Sequence, residues 1–155
     1  MGDRRKNIRL TGHDYRETGA YFVTICSRNR ENLFGELVGG DVLIAPKMVL
    51  SHVGVVVQDT IEQVPAIRKY VIMPDHIHFI AMFEEKGSMS TSTPTQELPS
   101  LVRFLKRQVS VACGETVWQR NYYEHVIRNE QDYLDIWNYI DTNPARWRDD
   151  AYYGG

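Results

Sequence analysis

Two apolar stretches that surround a Pro-Asp pair constrain this chain most. Residues 67–73 and 76–83 are rich in β-branched and aromatic side chains, which favours strands, and Pro74 and Asp75 lie between them. Because proline is poor inside a central strand, the pattern predicts a hairpin or one long strand interrupted at Pro74. A buried sheet is therefore expected in the middle of the chain.

His76 and His78 lie in the second of these stretches. Alternate residues of a strand point to the same face, so the two imidazoles project together while Ile77 faces the core. Two imidazoles on one face make half of a divalent-metal site. The alternative is a pair of hydrogen-bonded histidines on a half-exposed strand, and the pair alone does not separate these interpretations.

The length of 155 residues predicts one domain over 1–155. Within it we expect a basic N-terminal arm over 1–18, a mobile surface loop over 84–95 and a tail over 145–155. The chain is 43% hydrophobic and 25% charged, which is typical of a globular protein.

Membrane and secretory signals are absent from the sequence. No apolar stretch is long enough to span a membrane, and no apolar run follows the basic N-terminus. We therefore expect a cytoplasmic protein without a membrane partner. Cys26 and Cys113 lie far apart without metal-type spacing, which favours reduced thiols in a reducing cytoplasm and leaves a disulfide as the alternative.

The remaining periodicities predict three helices and further strands. Strands are expected over 20–26, 41–44 and 117–127, a loop over 28–40, and helices over 48–64, 95–113 and from 129 onward. Gly114 and Asn129 are expected to cap two of the helices. This order predicts an α+β fold, an antiparallel sheet of the ferredoxin-like (RRM-like) type with helices packed on one face.

Positive charge is concentrated in a few places, although the net charge is −2. That net charge argues against a broadly basic nucleic-acid-binding domain but allows a local basic groove. Arg103 and Arg107 lie four residues apart on a predicted helix with Lys106 beside them, which predicts a basic ridge. A second cluster lies at the N-terminus and consists of Arg4, Arg5 and Lys6. Each cluster taken alone is interpreted as solvated surface.

Tyr139 lies beside the expected apolar stripe of the last helix, which is Tyr133, Ile136, Trp137 and Ile140. A tyrosine there is either a packed side chain with a solvated hydroxyl or a nucleophile. Phenols, with pKa values near 10, attack poorly at neutral pH unless a metal or cation stabilises the phenolate. A two-histidine metal site facing this helix would supply that help, and Asn143 is a candidate third ligand.

Four segments together resemble one protein family. Residues 70–78 (YVIMPDHIH) resemble the His-hydrophobic-His motif of small single-tyrosine transposases. Residues 117–130 (VWQRNYYEHVIRNE) and 139–144 (YIDTNP) resemble the two C-terminal signatures of REP-associated tyrosine transposases, and residues 19–26 (GAYFVTIC) are similar to their N-terminal strand. The resemblance extends over residues from about 8 to 148.

The resemblance implies a palm-like antiparallel sheet with the histidines on a central strand. It also implies an enzyme whose tyrosine, here Tyr139, attacks single-stranded DNA, leaves a 5′-phosphotyrosine and frees a 3′-hydroxyl that permits rejoining. His76 and His78 would hold Mg²⁺ or Mn²⁺ on the scissile phosphate. Many relatives carry glutamine four residues after the tyrosine, where this chain has the shorter Asn143, so direct metal ligation by Asn143 stays open.

The expected partner is single-stranded or hairpin (REP-like) DNA, bound by a monomer or a homodimer. The predicted contacts are the basic ridge and the N-terminal cluster, together with Arg120, Trp118 and Tyr122. The rings of Trp118, Tyr122 and Tyr123 are interpreted as core or as stacking surfaces for bases. For His125, a core role and a site role are equally supported. Two alternative functions remain: a hairpin-binding relative without transposition activity, and a metallo-phosphodiesterase that uses metal-bound water.

Overall fold

The computed structural model describes residues 19–40, 46–83 and 97–143. Within these ranges the chain forms six strands and three helices: β1 (Ala20–Cys26), β2 (Gly35–Val38), β3 (Lys47–Leu50), α1 (His52–Ile61), β4 (Ile67–Met73), β5 (His76–Met82), α2 (Leu98–Cys113), β6 (Tyr123–Val126) and α3 (Glu130–Asp141). The predicted arm over 1–18, loop over 84–95, strand over 41–44 and tail over 145–155 lie outside the described residues.

The principal sheet is antiparallel, with the strand order β4-β5-β1-β6. Among the strands of this sheet, α1 connects β1 to β4 and α2 connects β5 to β6. The sheet therefore has the connectivity of a ferredoxin-like fold. The α+β prediction is confirmed, and the histidine strand β5 is central. Met73 pairs with His76, so of the two predictions for this region the hairpin is the correct one.

The two faces of this sheet are covered by different helices. Helices α1 and α2 pack on the face that carries Ile77 and Phe79, whereas α3 packs on the face that carries Phe22 and Ile80. The prediction that all helices share one face is therefore wrong for α3. All seven residues of β5 are buried, and a strand that is buried on both sides needs a covering layer on each side.

The region before α1 also differs from its prediction. Residues expected to begin a helix at 48 instead form β3, which pairs with β2 in a stretch expected to be a loop. Helix α1 begins after Ser51, whose Oγ accepts a hydrogen bond of 3.0 Å from the Gly54 amide. Gly54 is required here, because a Cβ at this position would lie 2.1 Å from the carbonyl oxygen of Phe34.

The predicted caps of the other two helices are confirmed. Gly114 ends α2 in the left-handed conformation with φ 74°, and Asn129 Oδ1 accepts a hydrogen bond of 2.8 Å from the Asp132 amide at the start of α3. The strand expected over 117–127 is shorter, because only Tyr123–Val126 forms a ladder with β1. Cys26 and Cys113 are thiols, not a disulfide. No helix of the described ranges is long and apolar enough to cross a membrane.

Candidate active site

His76 and His78 lie side by side on the α3 side of strand β5. Their ring centroids are 4.7 Å apart, and both side chains are buried. The spacing follows from the period of two residues in a strand, as the sequence predicts. Burial removes competing water, so a cation between the rings would interact with the imidazoles in a medium of low dielectric constant.

Strand β1 fixes the orientation of His78. Thr24 lies opposite His78 in the ladder, and Thr24 Oγ1 is 2.8 Å from His78 Nδ1. If Nδ1 carries the proton and donates it to the hydroxyl, the lone pair of the imidazole is on Nε2, the nitrogen that then ligates a metal. The threonine therefore orients the ring and can accept the proton in the tautomer that a metal ligand needs.

Asp75 and Arg30 fix the orientation of His76 in the same manner. Asp75 Oδ1 lies 2.8 Å from His76 Nδ1, and Arg30 Nε donates a hydrogen bond of 3.0 Å to Asp75 Oδ2. Burial raises the pKa of the Asp75 carboxyl, but the hydrogen bonds with His76 and Arg30 outweigh it and lower that pKa overall. A carboxylate behind a ligating histidine makes the imidazole a stronger donor to a metal.

The turn after β1 delivers Arg30 to this position. Asn29 and Arg30 both have φ 55°, in the left-handed region that non-glycine residues seldom adopt. The turn is attached to the β4–β5 connection, because the Ser27 amide donates a hydrogen bond of 2.9 Å to the Asp75 carbonyl. Backbone strain of this kind occurs at functional sites, and here it places Arg30 against Asp75.

Helix α3 brings Tyr139 to the histidine pair. The Tyr139 ring lies 5.5 Å from the ring of His78 and 6.0 Å from that of Phe22, measured between centroids. The expected stripe holds the helix against the sheet: Tyr133, Ile136 and Ile140 are buried, and Trp137 is partly buried. Tyr139 is partly exposed beside this stripe, as predicted, and faces the histidines.

Asn143 lies just past the end of α3 and is completely buried. Its side-chain Oδ1 and Nδ2 have no hydrogen-bond partner in the described part of the chain. An unpaired buried amide costs about 1–3 kcal/mol, a cost that a ligand of the amide would offset. The described residues hold no cluster of three His, Cys, Asp or Glu side chains. Two imidazoles and one amide oxygen nevertheless fit a divalent cation that keeps positions open for substrate.

Comparison with known proteins bears on this site. The family model described as "Transposase IS200 like" matches residues 15–143, which include the histidine pair, Tyr139 and Asn143. The chain belongs to the IS200-like transposase family. It is a transposase, and the resemblance to REP-associated tyrosine transposases is confirmed.

Individual relatives agree with this assignment. An uncharacterized protein of Haemophilus influenzae is 36% identical across 96% of this chain and 93% of its own length. A REP-associated tyrosine transposase of Escherichia coli is 29% identical across 85% of this chain and 70% of its own length. The structure of a REP-associated tyrosine transposase bound to a REP hairpin matches 95% of this chain and 74% of its own, with a TM-score of 0.62 and 28% identity.

The three residues of the predicted basic ridge of this transposase have different environments in the structure. Arg103 and Arg107 are exposed on α2. Lys106 instead turns towards the segment before β6, where its Nζ donates hydrogen bonds to the carbonyls of Gln119, Arg120 and Asn121 at 2.8, 3.0 and 3.4 Å. Burial lowers the pKa of Lys106. Lys106 thus holds a loop, and the expectation that it contacts phosphate is not supported.

The aromatic residues predicted to contact DNA also differ in their burial. Trp118 is buried with its ring 5.2 Å from that of Phe34, which agrees with the core interpretation and leaves no surface for a base. Tyr122 is half-buried against the core on the α1 and α2 side of the sheet. Burial and the charge of Glu124 raise the pKa of Tyr122, and the charge of Arg103 opposes that change.

The other predicted site residues have simpler outcomes. Arg120 is exposed in the loop that Lys106 holds. Arg4, Arg5 and Lys6 lie outside the described residues. His125 lies on the face of the sheet that carries His76 and His78, the histidine face. Its Nε2 lies 3.0 Å from Asp132 Oδ2, so it joins β6 to the first turn of α3. This contact favours a structural role for His125.

Three residues of the site were not predicted from the sequence: Thr24, Arg30 and Asp75. The signal for Asp75 was its position immediately before His76, since metal-bound histidines commonly donate to a carboxylate. Thr24 and Arg30 had no such signal. Their roles depend on the register between β1 and β5 and on the turn after β1, which no local pattern specifies.

Proposed function

We propose that this transposase cleaves and rejoins single-stranded DNA through a covalent bond to Tyr139, with Mg²⁺ or Mn²⁺ held by His76 and His78. The observation that carries the proposal is the position of the Tyr139 ring, 5.5 Å from the His78 ring, on a helix packed over the histidine face. Asn143 is the candidate third ligand, since its buried amide oxygen has no other partner among the described residues.

The reaction balances without an external energy source. A bond forms between the phenolic oxygen of Tyr139 and the phosphorus, and the bond from phosphorus to the 3′ oxygen breaks. The phenol loses a proton and the departing 3′ oxygen gains one. The products are a 5′-phosphotyrosine and a free 3′-hydroxyl, and attack by a 3′-hydroxyl reverses the step and rejoins a strand.

The residues of the site share the work. The divalent cation, when bound, neutralises charge that develops on the phosphate oxygens. Thr24 and the Asp75–Arg30 pair keep His78 and His76 in ligating orientations, with contacts of 2.8 Å from each Nδ1. Helix α3 positions Tyr139, and its packing limits the conformational freedom that the attack would otherwise lose. Imidazole ligands favour Mn²⁺ over Mg²⁺.

Hairpin DNA is the proposed substrate, because a matched relative has been solved with a REP hairpin bound. The exposed Arg103 and Arg107 and the half-buried Tyr122 are the proposed DNA contacts on the α2 side, with the two arginines on phosphates. The N-terminal cations and Arg120 are proposed to extend this contact.

Cleavage of end-labelled DNA tests the proposal. A hairpin oligonucleotide with single-stranded flanks is incubated with the protein and Mn²⁺. We expect a 3′-end label to move into a protein-sized band that survives denaturation, and a 5′-end label to give a shorter fragment that a polymerase extends. Chelation of the metal should abolish both products. Tyr70→Phe, which removes a hydroxyl that bonds Glu62 on the opposite face of the sheet from the histidines, serves as the matched control and should still form the adduct.

The same assay separates the alternatives. Cleavage without a covalent adduct would replace the proposal with a metallo-phosphodiesterase that uses metal-bound water. Hairpin binding without cleavage at any metal concentration would indicate a binding protein that has lost transposition activity.

A further inference from the structure

One exposed aromatic ring lies in the same row of the sheet as the histidine site, where a row means residues that lie opposite one another on adjacent strands. Thr24 pairs with His78 on one side and with Tyr123 on the other. Residues directly opposite one another in a ladder point to the same face. Tyr123 therefore shares the histidine face, two strand spacings, or about 10 Å, from His78 along the backbone.

Exposure rises steeply along this row. Thr24 and His78 are buried, whereas Tyr123 is 38% exposed. Strand β6 is at the edge of the sheet within the described ranges, so Tyr123 lies where the row meets solvent. Tyr123 is the one aromatic residue among the large exposed hydrophobic side chains of the described residues.

The neighbouring aromatic residues cannot take this position. Trp118 is buried against Phe34, and Tyr122, one residue earlier, packs on the opposite side of the sheet. Within the segment 117–127, Tyr123 is thus the aromatic side chain that borders the histidine face. Tyrosine stacks on any base, because every base has a π face.

We propose that Tyr123 is the stacking position for the base adjacent to the phosphate held at His76 and His78. The proposal rests on the proposed function, and it assigns the single-stranded part of the substrate to the β6 edge of the site. The hairpin contacts of Arg103 and Tyr122 lie on the other side of the same edge. The DNA would pass around β6, with paired DNA on the α2 side and the unpaired cleavage segment on the α3 side.

Fluorescence of a base analogue tests this position without requiring cleavage. In a Tyr139→Phe background, hairpin oligonucleotides that carry 2-aminopurine at successive positions of the single-stranded flanks are bound at saturating protein. We expect quenching at one position, next to the cleavage site mapped with the parent enzyme. Tyr123→Leu should lose this quenching, and Tyr123→Phe should keep it. Tyr70→Leu, on the opposite face of the sheet, should keep it as the matched control.

Steady-state cleavage gives the second measurement. Tyr123→Leu should lower kcat/KM by about 5- to 150-fold, the range for loss of one base–aromatic stack, and Tyr123→Phe should restore it. Quenching that does not depend on Tyr123, quenching far from the cleavage site, or equal defects in the Leu and Phe variants would overturn the proposal. Failure of the parent enzyme to form an adduct would count against the proposed function, while quenching that depends on Tyr123 would still decide whether this residue stacks on a base.

Discussion

The ring of Tyr139 lies 5.5 Å from the ring of His78, although the two residues come from different layers of the fold. His78 belongs to a buried central strand, and Tyr139 to a helix that packs on that strand's face. The contact joins the two halves of the proposed site. It also makes the role of each residue around them testable by single substitutions.

Asp75→Ala should weaken metal binding by about 10- to 100-fold, because it removes the carboxylate that orients His76. Titration of the apo protein with Mn²⁺ by calorimetry measures this directly. Asp132→Ala is the matched control, since Asp132 contacts His125 rather than a proposed ligand. Equal Mn²⁺ affinity in the parent protein and in Asp75→Ala would show that Asp75 does not contribute to metal binding.

Asn143→Leu should separate stability from metal binding. The substitution removes two buried polar atoms without partners in the described residues and keeps the number and branching of the side-chain heavy atoms, so the free energy of unfolding of the apo protein should be unchanged or higher. Metal affinity should fall if Asn143 is a ligand. Urea unfolding and Mn²⁺ titration give the two quantities, and unchanged metal affinity would leave the histidines and the substrate as the metal's ligands.

Arg103→Gln and Arg107→Gln should each reduce the salt slope of hairpin binding by about one unit, because each removes one phosphate contact. Lys106→Met should leave that slope unchanged. It should instead lower the free energy of unfolding by about 1 kcal/mol, since Nζ donates to three backbone carbonyls. A reduced salt slope of hairpin binding in Lys106→Met would instead indicate that Lys106 contacts a DNA phosphate.

The difference between Lys106 and its neighbours shows where sequence reasoning ends. The spacing of the helix predicted a ridge of three cations, but it did not specify which one meets the loop at 119–121. Tyr122 and Tyr123 pose the same problem: alternation assigns them to opposite faces only once β6 and its register are known. Local patterns correctly predicted the caps, and they predicted the histidine pair, Tyr139 and Asn143, because each prediction depends on a short period within one element.

The errors in the fold have similar causes. The apolar residues of 48–64 have helical spacing, yet residues 47–50 form a strand because they pair with β2, an earlier segment outside that window. Helix α3 covers the second face of the sheet, and β5 is therefore buried on both sides. The sequence of the helix does not specify which face of the sheet it covers. Contacts distant in sequence decided each of these cases.

The covalent role of Tyr139 is the central claim, and mapping a trapped adduct tests it most directly. Mn²⁺-dependent cleavage of a hairpin oligonucleotide is stopped by denaturation, the protein is digested, and the peptide that carries the DNA is sequenced by mass spectrometry. We predict attachment to Tyr139, and loss of both adduct and cleavage in Tyr139→Phe with binding of uncleaved DNA retained. An adduct on Tyr122, Tyr123 or Tyr133, or cleavage that persists in Tyr139→Phe, would contradict the account.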